Sequence, residues 1–163
     1  MKPSQKCFDL AASFEGCRLL AYDDARPDYT LRPGDEIEGT LTIGRGHTGP
    51  DVHIDLVWTQ EQADAQFAQD LQVHCNQAVA LVKVPLSQGQ VDALTSFVYN
   101  EGSGTLEKST LLKILNQGNY AGVPDQLCTQ DDEGNWHGYV FFQGKVSPGL
   151  VRRRQAEIAL WNS

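Results

Sequence analysis

The chain has 163 residues, 40% hydrophobic and 21% charged, with 13 Lys and Arg against 21 Asp and Glu for a formal net charge of −8. That length suits about one domain with a sizeable core. No stretch approaches the ~20 apolar residues of a membrane-spanning helix, and the acidic balance argues against nucleic acid, whose binding rests on Lys and Arg neutralising phosphates. Met1 to Lys6 has charge but no apolar run behind it, so no secretory signal is expected. Residues 4–14 read as an amphipathic helix: Ser4 is the N-cap, and Cys7, Phe8, Leu10, Ala11 and Phe14 recur at helical spacing. Glu15-Gly16 ends it, leaving Glu15 at a junction between elements.

Leu19, Ala21 and the Tyr22 region look strand-like, as does the β-branched run Thr40-Leu41-Thr42-Ile43. Between them, 25–41 is a turn-rich acidic excursion with Pro27, Pro33, Gly34 and Gly39, so a small irregular antiparallel sheet with one long loop is expected. Thr59 and Gln62 form a capping box opening a helix to about residue 82. Ser87 caps a further helix with Val91, Leu94, Phe97 and Val98 inside, broken by Gly102-Ser103-Gly104. Ser109 opens another to Gln117-Gly118, and a helix over 121–128 leads into the polar turn 131–135. Tyr139 to Phe142 reads as a short strand, and a last helix covers about 149–161. From Gln143 onward Lys145 and Arg152 to Arg154 stand against Glu157 alone, which suggests a basic face.

Cys7, Cys17, Cys75 and Cys128 show no CxxC spacing, and His53, His74 and His137 no metal-ligand spacing, so free, mostly buried thiols and neither metal nor cofactor are expected. Taken singly, the chemical candidates have ordinary explanations. Glu-Gly at a helix end is common, Asp23-Asp24 is also a turn signal, and Ile43-Gly44-Arg45-Gly46 lacks the GK[ST] of a phosphate loop. His47 suits a structural pairing with an acid better than catalysis. As an ordered set, Glu15, the Asp23-Asp24 pair and Thr42 before a glycine turn supply what glycosidic cleavage needs: an acid for the leaving oxygen, a second carboxylate, and a hydroxyl.

Glu15-Gly16, Tyr22, Asp24, Thr42-Ile43-Gly44 and Gly46-His47 resemble, in that order, the phage-type lysozymes or endolysins of glycoside hydrolase family 24. The resemblance continues through Leu86-Ser87, Asp92-Ala93-Leu94, Tyr99-Asn100 and Gly102-Ser103-Gly104, then Ser109 to Leu112, Leu115 to Tyr120, and Pro148 to Arg154 with Glu157 and Trp161. It implies an α+β lysozyme-like fold in one domain over 1–163: a sheet-containing lobe at about 15–58, a connecting helix at 59–82, and a helical lobe at 83–163 packed with the N-terminal helix, with substrate in the cleft between lobes. It assigns Glu15 as general acid, Asp24 (nine residues on, selected over Asp23) as the ionised carboxylate, and Thr42 as the hydroxyl that positions water. Tyr22, Gly44 and Asn100 would bind substrate. His47 would pair with Asp70, and one of Arg152, Arg153 and Arg154, with Arg153 favoured, would hold the glutamate. The implied reaction is hydrolysis of the β-1,4 bond between N-acetylmuramic acid and N-acetylglucosamine of bacterial peptidoglycan, with inversion.

A lytic transglycosylase would need neither Asp24 nor Thr42, and a silent glycan-binding module would need none of the three. A monomer is expected, in the role of an endolysin or a delivered antibacterial effector; an immunity or inhibitor protein is a candidate partner. Departures from the family pattern are the long 25–41 excursion, Glu101, taken as solvated, and the Cys128 to Glu133 stretch.

Overall fold

Helix α1 (Gln5–Phe14) begins where its cap predicts, with the Lys6 N–H on Ser4 Oγ at 3.2 Å. Ser4 is itself anchored, its backbone N–H and hydroxyl donating to the buried Asp92 carboxylate at 2.9 and 2.5 Å. The computed structural model describes residues 1–163, which divide into two compact units: Met1–Phe14 with Leu71–Ser163, and Glu15–Asp70.

In the first unit the organising element is α3 (Gln88–Glu101), opened by a full capping box between Ser87 and Gln90. Every residue from Val91 to Val98 is buried, so α3 runs through the core rather than over it. Its polar side chains are all satisfied: Asp92 holds Ser4, Thr95 donates to the Val91 carbonyl, and Ser96 donates to Glu157. Leu94, Phe97, Leu111, Leu115 and Trp161 dominate the surrounding core. The Gly102-Ser103-Gly104 break is narrower than expected. Gly102 ends α3, and a further helix, α4 (Ser103–Lys108), starts at once.

Helix α5 (Thr110–Leu115) is capped by Ser109 and stops short of the expected Gln117-Gly118. Asn116 is drawn instead to the end of the preceding long helix, accepting from the Lys83 N–H and donating to the Leu81 carbonyl. Helix α6 (Val123–Leu127) is only five residues long. Strands β4 (Cys128–Gln130) and β5 (Trp136–Gly138) form a hairpin that the polar composition concealed. Its turn is built on Asp131, which accepts from His137, Asn135 and Glu133 and is held down at about 2, first by the His137 contact. The strand expected over Tyr139 to Phe142 is present only as β6 (Phe141–Phe142), paired with β7 (Lys145–Val146).

Ser147 caps α7 (Pro148–Trp161). The expected basic face does not form there. Arg153 and Arg154 are buried, and only Arg152 of the three points outward. All four cysteines are free thiols; Cys7, Cys75 and Cys128 are buried, and burial pushes the Cys7 thiol up to about 12.

The second unit holds a three-stranded antiparallel sheet, β1 (Arg18–Asp23), β2 (Leu41–Gly44) and β3 (His47–Thr48), in that order. β3 is too short to leave a periodic signal. Residues 56–58 cover the free edge of β1, with the Ala21 N–H on the Leu56 carbonyl and the Trp58 N–H on the Leu19 carbonyl. Ala21, Ile43 and Val52 form a small core with Leu41, Leu56 and Trp58 around it. Helix α2 (Gln60–Leu81) opens on the predicted Thr59–Gln62 box, and the boundary between units falls within it, after Asp70.

Candidate active site

Glu15 follows the last residue of α1 and is half-buried. Its peptide is tied down by Arg45 from the β2–β3 turn, whose Nη1 donates to the Glu15 carbonyl at 3.2 Å. Arg45 Nε lies 3.3 Å from Asp64 Oδ1 in the first half of α2, and its guanidinium covers the Phe67 ring at 5.6 Å. The sequence had no local sign of this role, because the partners of Arg45 lie 30 residues before it and 19 after.

The two adjacent aspartates meet different surroundings, Asp23 as the last residue of β1 and Asp24 in the turn that follows it. Asp23 is fully buried, accepting the N–H groups of Ala25, Glu38 and Gly39 and an ion pair from Arg26 at 3.2 Å. Those donors, the Glu38 N–H first, hold its carboxyl below the usual range. Asp24 is exposed; its carboxylate accepts the Thr40 N–H at 2.6 Å and its own N–H donates to the Thr40 carbonyl at 3.1 Å. One carboxylate is therefore consumed in closing the 25–41 excursion, and the other is presented to solvent.

Tyr22 pairs in register with Thr42, which places both side chains on one face of the sheet. Thr42 is nearly buried and its hydroxyl donates to the Thr40 carbonyl at 3.0 Å. The Tyr22 ring lies under the Arg18 guanidinium at 4.7 Å. Burial raises its phenol, Arg18 opposes, and the carboxylates of Asp24 and Glu15 both push it up further, so the two acids share the electrostatic neighbourhood of one ring.

His47 makes the expected contact with Asp70 (Nδ1 to Oδ2, 3.0 Å) and a second, unforeseen one with Asp51 (Nε2 to Oδ2, 3.2 Å). Asp51 is held below its usual range by its own backbone N–H and then by His47. Gly44 was expected to admit a ligand. It is buried at φ 65°, and a Cβ there would meet the Trp58 ring at 2.9 Å, so its smallness serves the packing of Trp58.

The remaining expected residues lie in the other unit. Asn100 is exposed, and its amide oxygen accepts from Arg154 Nη2 at 2.6 Å. Arg153 donates from Nη2 to the Ser96 carbonyl at 3.3 Å, approaches Glu157 Oε1 at 3.5 Å and covers the Phe14 ring at 5.6 Å. Arg154 is the more deeply engaged. It has Glu157 Oε2 at 2.9 Å from Nε and Glu101 Oε1 at 3.3 Å from Nη1, so Glu101 is an ion-pair partner rather than a solvated carboxylate.

Residues 12–157 match the family model described as phage lysozyme. The chain belongs to the phage lysozyme family. Among relatives of this lysozyme-family chain, an endolysin of Bacillus phage B103 is 38% identical over 161 residues, covering 99% of this chain and 54% of its own length. This chain thus spans about half of that relative. An endolysin of Acyrthosiphon pisum secondary endosymbiont phage 1 is 37% identical and matched nearly end to end, over 100% of this chain and 99% of its own. In structure, a mutant of P22 lysozyme superimposes with a TM-score of 0.74 at 31% identity, over 100% of this chain and 99% of that one. The muramidase domain of SpmX from Asticaccaulis excentricus gives 0.73 at 29%, over 99% and 98%. The α+β fold with a small antiparallel sheet is that of these lysozymes.

Proposed function

We propose that this protein hydrolyses bacterial peptidoglycan as a muramidase, at the β-1,4 bond between N-acetylmuramic acid and N-acetylglucosamine. The observation that carries this is the sorting of carboxylates within one unit: Asp23 is consumed by the excursion, while Asp24 stands exposed at the end of the strand whose Tyr22 pairs with Thr42. Glu15 donates its proton to the leaving glycosidic oxygen, and the charge that develops on the sugar is stabilised by ionised Asp24. Thr42, held by the Thr40 carbonyl, orients water from the sheet face it shares with Tyr22. Attack by that water in a single displacement inverts the anomeric centre. Arg45 acts on this chemistry indirectly, by fixing the peptide that carries Glu15.

The protein works as a monomer on the cell wall, which it reaches on release from its host cell or by delivery into a neighbouring one. In the second case an immunity protein is the expected partner. Mass spectrometry of muropeptides from purified peptidoglycan tests the assignment, with Glu15→Gln in parallel. Ordinary reducing ends from the native protein and none from the variant support it. Anhydro ends would move the protein to the transglycosylases, which need neither Asp24 nor Thr42. No products from either protein would leave a binding module.

A further inference from the structure

Residues 25–40 of the excursion have no regular secondary structure, yet both of its arms are tied down. Its return is clamped by the Glu38 and Gly39 N–H groups on Asp23. Arg26 bridges Asp23 and Glu38 and donates to the Glu36 carbonyl at 2.6 Å. Its outgoing arm is held to β1 by Arg18, which donates to the Pro27 carbonyl and lies 3.9 Å from Asp28. The Arg26 guanidinium backs the Tyr29 ring at 4.9 Å. So much anchoring for one exposed loop holds Tyr29 and Thr30 at a set height over the outer part of β1.

The space this creates is a groove of about 430 Å³ lined by Arg18, Leu20, Tyr22, Tyr29 and Thr30. That volume falls within the ~300–1,000 Å³ of small-molecule sites. Tyr22 lines the groove and pairs in register with Thr42, so the groove adjoins the face of the sheet that carries the proposed water-positioning hydroxyl. We propose that this groove is an additional saccharide subsite, in which Tyr29 and Tyr22 receive a further sugar ring of the same glycan strand and set a preference for long strands. The proposal rests on the muramidase assignment above.

The lining chemistry favours a sugar over a charged group. Two phenol rings and Leu20 offer apolar surface to the C–H face of a pyranose, while the phenol and Thr30 hydroxyls can exchange hydrogen bonds with its substituents. The single cation, Arg18, already spends its guanidinium on a carbonyl, a ring face and Asp28, and Asp28 balances its charge. A neutral N-acetylglucosamine ring fits that balance better than the ionised groups of a peptide stem or the lactyl carboxylate of a stem-free N-acetylmuramic acid.

Binding is measured by calorimetry in the Glu15→Gln protein, which holds glycan without cleaving it, using alternating N-acetylglucosamine–N-acetylmuramic acid oligomers of increasing length, with and without peptide stems. Adding Tyr29→Ala is expected to weaken binding of the longer, stem-free oligomers by roughly three- to tenfold, the range for one lost aromatic contact, and Tyr29→Phe to weaken it much less. Independently of any change at Tyr29, the Leu20 and Thr30 amide resonances should shift with long oligomers and not with a disaccharide. Equal affinities with and without Tyr29→Ala at every length, or unmoved Leu20 and Thr30 resonances, overturn the subsite. A loss confined to stem-bearing oligomers overturns the sugar assignment in favour of the peptide. If the native protein releases no muropeptides, the underlying muramidase assignment fails and the subsite with it; active native enzyme with a silent groove isolates failure to the subsite alone.

Discussion

Removing the Glu157 carboxylate should produce the largest stability loss of any single substitution considered. Glu157 and Arg154 are both fully buried. Burial pushes the carboxyl up and the guanidinium down, and the attraction between the two opposes both shifts, so each charge offsets the cost of burying the other. Arg154 Nη2 donates to Glu157 Oε1 at 3.1 Å, and Ser96 Oγ donates to the same oxygen at 2.7 Å. The 2.9 Å approach of Nε to Oε2 is an ion-pair distance without hydrogen-bond alignment, so the attraction there is Coulombic and not directional. Glu157→Ala leaves a guanidinium inside the core with only the partly exposed Glu101 as counter-charge. Breaking such a pair from one side costs about 3–5 kcal/mol. For a chain of this size each kcal/mol is worth about 3 °C, so the melting temperature should fall by about 9–15 °C. Paired urea and thermal unfolding followed by circular dichroism measures this. Arg154→Met should lose a similar amount, whereas Arg154→Met with Glu157→Leu should regain part of it, because the Arg154 charge is no longer stranded while Arg153 still loses its Glu157 contact. A loss below about 1 kcal/mol in Glu157→Ala, or a double variant no better than the singles, would refute this account.

Asp23 has a depressed carboxyl, so its contribution to stability is present above the unfolded value near 4 and is lost as pH falls through the lower folded value. Limited proteolysis within 25–40 should therefore accelerate on acidification below about pH 4, and in Asp23→Asn it should be fast already at neutral pH. Asp70→Asn removes the charged acceptor of His47 and should lower stability by about 1–2 kcal/mol while peptidoglycan turnover survives; a melting temperature equal to that of the native protein would count against the pair as a tie. Gly44→Ala combines a left-handed backbone with a Cβ driven against Trp58, so a loss of about 1–3 kcal/mol and altered Trp58 fluorescence are expected in denaturant titrations.

The elements written in local chemistry were legible in the sequence. The caps at Ser4, Thr59, Ser87 and Ser109 and the helical periodicity behind them need only neighbouring residues, and each helix starts where its cap predicts. The family pattern likewise anticipated the His47–Asp70 contact that the structure contains, because short motifs at set spacing survive translation into a linear string. What only the tertiary structure decided depends on groups far apart in the chain. Whether an arginine is surface charge or core is settled by what lies 53 to 57 residues away, which is why Arg153 and Arg154 form a buried network instead of a basic face. The same holds for Asp23, whose partners return 15 and 16 residues later, for Arg45 and Glu15, and for Gly44, whose need to be small is set by Trp58. Local propensity names the elements; burial and charge pairing, which have no fixed sequence spacing, choose what each side chain does.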